Sequence, residues 1–78
     1  MKEKILKLLS ETMPNINFTA SNSLVDDGIL DSLAIVGVVN ELSLEFDVTF
    51  DIDQLTPQNF NSLDAMAATV EQLLKEKR

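Results

Sequence analysis

The stretch Asp26-Asp27-Gly28-Ile29-Leu30-Asp31-Ser32-Leu33 closes a long irregular segment and opens the most apolar helical run of the chain. Gly28 permits a turn just before that run. Asp31 has the side chain of an N-cap, able to accept hydrogen bonds from the free amides of a first helical turn. Ser32 then falls on the first helical residue, where a side chain is exposed and backbone N–H groups lack intrahelical partners. From Ser32 the pattern predicts a helix to about Phe46. Ile35, Val38, Val39, Leu42 and Phe46 form one apolar stripe, and Leu33, Val36, Asn40 and Leu44 form a second. A surface helix of a small bundle buries one face, so the second stripe is either additional core or a docking surface. Gly37 sits mid-helix at a cost of about 1 kcal/mol relative to alanine, which points to close approach by a neighbour.

Upstream, Ile5, Leu8, Leu9 and then Thr12 or Met13 recur at helical spacing, with Lys4, Lys7 and Glu11 on the other side. This predicts a first helix from about Lys2 to Thr12, stopped by Pro14. Between Pro14 and Leu30 no period holds. Asn15, Asn17, Ser21, Asn22 and Ser23 are turn formers, yet Ile16, Phe18, Leu24, Val25, Ile29 and Leu30 are apolar. An ordered loop, pinned across the bundle by those side chains, accounts for both. Loops of such length in compact domains are commonly functional.

Downstream, residues 47–51 form a connector. Thr56-Pro57-Gln58-Asn59-Phe60 reads as a short helical turn with Thr56 as N-cap and Pro57 at the first helical position. Asn61 or Ser62 caps a last helix from Leu63 to about Lys75, which buries Leu63, Met66, Val70, Leu73 and Leu74. Its charges follow the macrodipole, with Asp64 near the start and Lys75, Lys77 and Arg78 at the end. The fold class is therefore all-α: three main helices and one short one, with a long ordered first loop.

Seventy-eight residues with 45% hydrophobic content suffice for one small core and one domain. The formal net charge of -7 argues against nucleic acid and anionic membrane surfaces, which need clustered cations. It favours partners with basic patches, or simply maintains solubility. The amino terminus is charged and no apolar run reaches the length of a membrane span. A cytoplasmic protein without stable membrane insertion is expected.

Neither cysteine nor histidine occurs. That removes thiolate nucleophiles, Ser-His triads and the usual zinc sites. Asp47, Thr49, Asp51 and Asp53 imitate the start of a calcium loop, but Ile52 stands where that loop needs glycine and Gln58 where it needs a bidentate glutamate. No metal site and no catalytic residue are assigned, and the chain is not expected to be an enzyme. What remains is Ser32 as an acceptor. The amides and dipole of a helix start favour a phosphate there. The plain alternative is that Ser32 only helps to begin the helix.

In this setting Gly28-Ile29-Leu30-Asp31-Ser32-Leu33, followed by an apolar helix ending in Glu45-Phe46, resembles the acyl carrier proteins and the related aminoacyl and D-alanyl carrier proteins. Length, acidity, the long first loop, the short third helix and the closing helix extend the resemblance over nearly the whole chain. It implies a small acyl-carrier-like four-helix bundle in which residues 1–78 are one phosphopantetheine carrier domain. It also implies that a separate phosphopantetheinyl transferase moves 4'-phosphopantetheine from coenzyme A to Ser32. Asp31, matching the aspartate before the modified serine, would cap the helix and be recognised by that transferase. The thiol of the prosthetic group would hold an acyl or aminoacyl cargo as a thioester for loading and transferring enzymes. Leu33, Val36 and Asn40 match positions that touch partner enzymes, and Glu41 and Leu44 complete the expected docking face.

The sequence departs from fatty-acid carriers along this helix. Gly37 stands where an acidic residue is typical, and Ser43 and Leu44 interrupt a usual acidic run, leaving Glu41, Glu45 and Asp47. The resemblance therefore points toward D-alanyl and other specialised stand-alone carriers. The expected form is a monomer. The competing reading is a non-covalent helical interaction module that docks a partner helix on Leu33, Val36 and Leu44.

Overall fold

The computed structural model describes residues 1–77; Arg78, one of the cations expected to complement the last helix, lies outside the described residues. Among the described residues four helices form: α1 over Lys2–Thr12, α2 over Ser32–Phe46, α3 over Pro57–Phe60 and α4 over Leu63–Glu76. One 3-10 turn, Ile52–Gln54, interrupts the connector between α2 and α3. Helix α1 packs on α4 and α2, α3 packs on α4, and α2 also meets α4. The all-helical bundle with three long helices and one short one is the architecture that the periodicity predicts.

The helix ends follow local chemistry. Asp31 Oδ1 accepts from the Ala34 amide at 2.8 Å and so starts α2. Ser62, and not Asn61, caps α4: its Oγ accepts from the Ala65 amide at 3.0 Å. Thr56 occupies the N-cap position of α3, but its side chain makes no capping bond. The Asn59 amide donates to the Thr56 carbonyl instead, at 3.1 Å. Helix α2 ends at Asp47, whose φ of 53° is left-handed and whose amide donates to the Ser43 carbonyl. Aspartate tolerates this conformation better than most residues, and nothing in the residue pattern of the connector signals it.

Ile5 and Leu9 of α1, Val38 and Leu42 of α2, Phe60 of α3, and Leu63, Met66, Ala67 and Val70 of α4 share one core. The first loop contributes Phe18, Leu24 and Leu30 to that core, while Ile16, Val25 and Ile29 pack against it. Each fully buried side chain of this size contributes about 1.5–3 kcal/mol. That burial offsets the entropy of ordering a segment without regular structure.

Gly37 abuts Met13, at the end of α1. A Cβ on Gly37 would lie 3.4 Å from the Met13 sulfur and terminal methyl carbon. The neighbour expected at Gly37 is thus part of the chain itself, at the seam of α1 and α2.

The carboxyl end of α2 is acidic, which the helix macrodipole disfavours, and its last turn holds no basic residue. Cations arrive from the flanking helices. Lys4 of α1 lies 3.3 Å from Glu45 and 5.3 Å from the centre of the Phe46 ring. Lys77, just past α4, donates to Asp47 at 2.8 Å. At the other end of α4, Lys2 meets Asp64 at 3.1 Å.

Candidate functional site around Ser32

Ser32 is the first residue of α2 and is exposed. Its hydroxyl is not needed for capping, because Asp31 already fills that role. The Ile35 amide donates to the Asp31 carbonyl at 2.9 Å, so the helix proper begins at that bond. Helix geometry leaves the N–H groups of Ser32 and Leu33 without an intrahelical acceptor. No acidic residue follows in the first turn. The result is an exposed hydroxyl beside two free donors at the positive end of a helix dipole.

The loop that delivers Ser32 is held from within and from outside. The Leu30 amide donates to the Leu24 carbonyl at 2.9 Å, closing residues 24–30 into a compact turn. Inside it the Asp27 amide donates to the Ser23 carbonyl at 2.7 Å and the Gly28 amide to the Val25 carbonyl at 3.0 Å. Gly28 has φ +78° with open space around it, so glycine is required there for its backbone and not for room. From outside comes Asn61. Its side-chain oxygen accepts from the Val25 and Asp26 amides at 2.9 and 3.1 Å. Its amide group donates to the Asp26 carboxylate at 3.1 Å. Its backbone carbonyl accepts from the Leu24 amide at 2.8 Å. The residue pattern marks Asn61 only as a possible helix cap. Its partners lie 35 to 37 positions away, beyond any local pattern.

The second stripe of α2 is not core. Leu33 is 82% exposed, Val36 65% and Leu44 73%. Asn40 is exposed with them, at the same helical face, while Glu41 is half-buried. An apolar strip therefore leaves Ser32 along the outside of the helix that carries it. Ile52, 82% exposed, and Leu55 add apolar surface on and just after the 3-10 turn; the connector's residue pattern did not single them out.

Charge is distributed unevenly along the chain. All six cations fall within residues 2–7 or 75–78, whereas Asp26, Asp27 and Asp31 flank the approach to Ser32. The Lys77 ammonium holds the Asp47 carboxyl below the ordinary aspartate range, first through its hydrogen bond and then through its charge. Among the described residues no group of three carboxylates is gathered closely enough to hold a metal ion. Among them, too, no helix is long and apolar enough to cross a membrane. Open grooves run beside α4, one bordered by Gln54, Asn59 and Thr69 and another by Asp47, Thr49 and Glu76; neither includes Ser32.

Residues 3–70 match the family described as "Phosphopantetheine attachment site". The chain is 27% identical over 75 residues to the D-alanyl carrier protein of Streptococcus suis (strain 05ZYH33), covering 95% of each. It is 26% identical over 74 residues to the D-alanyl carrier protein of Streptococcus mutans serotype c (strain ATCC 700610 / UA159), covering 94% of each.

Proposed function

Because this chain belongs to the phosphopantetheine attachment site family, whose members are non-catalytic carriers bearing covalent 4'-phosphopantetheine, we propose that Ser32 is its attachment residue. The observation that carries this reading is the exposed Ser32 hydroxyl on the first residue of α2, left free because Asp31 does the capping. The surrounding groups fit a phosphodiester. The N–H groups of Ser32 and Leu33 and the helix dipole favour its negative charge.

In the loading step the Ser32 oxygen forms a bond to the phosphate on the pantetheine half of coenzyme A. The pyrophosphate linkage breaks, and the nucleotide half leaves with the other phosphate. The chain has no histidine to accept the hydroxyl proton, so that proton passes to a base of the phosphopantetheinyl transferase. Asp31 holds the helix start in place and offers the transferase a carboxylate beside the acceptor. Once attached, the group supplies a thiol that carries the cargo as a thioester. Leu33, Val36, Asn40 and Leu44, with Glu41 at their edge, then form the surface along which loading and transferring enzymes dock.

The cargo is an aminoacyl group, D-alanine first among the candidates. Both D-alanyl carrier relatives match nearly end to end. The acid-poor middle of α2, with Gly37, Ser43 and Leu44, supports the same reading.

Incubation with coenzyme A and a broad-specificity phosphopantetheinyl transferase, followed by intact mass measurement, tests the attachment. One phosphopantetheine should be added to the wild type and none to Ser32→Ala. Addition that persists in Ser32→Ala would refute the assignment. The cargo is tested by offering the modified chain labelled D-alanine, ATP and a D-alanine-activating ligase. Label should be acquired and then released by hydroxylamine. Acceptance of a fatty acyl group but not of D-alanine would overturn the cargo reading alone.

A further inference from the structure

We propose that Asn61 is a positioning residue for the modification of Ser32. This rests on the reading of Ser32 as the attachment site. Asn61 stands between α3 and α4, directly after the buried Phe60. From that fixed point it makes four hydrogen bonds to Leu24, Val25 and Asp26 of the first loop. The Leu24 carbonyl in turn accepts from the Leu30 amide, and Leu30 immediately precedes Asp31. A continuous path of hydrogen bonds thus runs from the α3–α4 junction to the residue before the cap of α2.

The residue type is dictated by what it meets. Two backbone N–H groups require an acceptor, and the Asp26 carboxylate requires a donor. A side-chain amide provides both at once, on two separate atoms of one short stem. Aspartate would set a second carboxylate against Asp26. Alanine would leave two backbone amides and a carboxylate without their partner. Glutamine would carry the same groups one methylene too far. Released from Asn61, residues 24–30 would spend less time in the arrangement that presents Asp31 and Ser32. A transferase that engages only that arrangement would bind correspondingly less tightly.

The test measures loading by a phosphopantetheinyl transferase with coenzyme A, as separate kcat and KM for the carrier chain. Asn61→Ala is expected to raise KM by about three- to tenfold while kcat holds. Amide exchange at Val25 and Asp26 should accelerate, with Val38, Leu42 and Val70 still protected. The double variant Asp26→Asn/Asn61→Asp exchanges donor and acceptor across the contact and keeps the acceptor for both backbone amides, so it should recover the wild-type KM. Asn61→Asp alone should not. Ser62→Ala removes the cap of α4 without touching the loop and controls for general destabilisation; it should load as the wild type does.

Wild-type KM in Asn61→Ala, an equal rise in Ser62→Ala, or failure of the exchanged pair to recover would each overturn the positioning role while leaving Ser32 as acceptor. A wild-type chain that accepts no phosphopantetheine would overturn the attachment reading, and the positioning role with it.

Discussion

Lys77 donates to the Asp47 carboxylate at 2.8 Å, tying the residue just past α4 to the left-handed residue that ends α2. The bond lowers the Asp47 titration in the folded chain. The stabilisation it brings is fully present above the ordinary aspartate value of about 3.9. It disappears as pH falls through the lowered folded value. Lys77→Ala should move the Asp47 carboxyl titration upward by NMR and weaken the acid dependence of melting below about pH 4. Because the Asp47 side chain is almost wholly solvated and that of Lys77 about half so, the effect at neutral pH should be slight. An Asp47 titration indifferent to Lys77→Ala would show that the pair does not form in solution.

Asp31 is expected to act twice. Asp31→Ala removes the acceptor for the Ala34 amide and should cost about 1 kcal/mol of stability by denaturant unfolding. It should also slow loading of Ser32. Asp31→Asn keeps an acceptor for Ala34 and discards the charge, so it should restore most of the stability and leave loading slow. If both variants load at the wild-type rate, the transferase does not read the carboxylate.

Gly37→Ala should stabilise the chain by about 0.5–1 kcal/mol, because alanine is the better helix former. The new methyl would meet the flexible end of Met13 at 3.4 Å, which is ordinary contact. A fall in melting temperature would mean that the α1–α2 seam cannot yield.

Leu33 and Val36 should separate binding from folding. Both are exposed, so Leu33→Ala and Val36→Ala should each change stability by less than about 0.5 kcal/mol. Leu42→Ala, in the core, should cost about 2–5 kcal/mol. Affinity for loading enzymes should fall in the two surface variants. Undiminished partner affinity in both would move the docking surface off this strip.

The long helices were legible because their signals are local. Apolar spacing marks α1, α2 and α4, and the starts of α2 and α4 carry capping side chains one residue ahead. The loop's inward side chains were equally legible, since six apolar residues among turn formers must go somewhere. Whether Leu33, Val36 and Leu44 face core or solvent was not. Periodicity reports which residues share a face, but not which faces are covered. The left-handed Asp47, the approach of Met13 to Gly37 and the bonds of Asn61 all depend on segments distant in the chain. The proposed attachment residue is legible only in context: an aspartate, a serine and a leucine gain meaning only from the loop before them and the helix after.

Met13 against Gly37 has a chemical consequence of its own. With no cysteine in the sequence, thioethers are the chain's own oxidisable sulfur. Met66 is fully buried, and Met1 is exposed ahead of α1. Met13 is half-buried, with its sulfur at the contact between two helices. Peroxide would turn that sulfur into a bulkier, polar sulfoxide where an apolar tip now fits. Oxidative ageing would then loosen the chain first between α1 and the helix that bears Ser32, and a methionine sulfoxide reductase would reverse it.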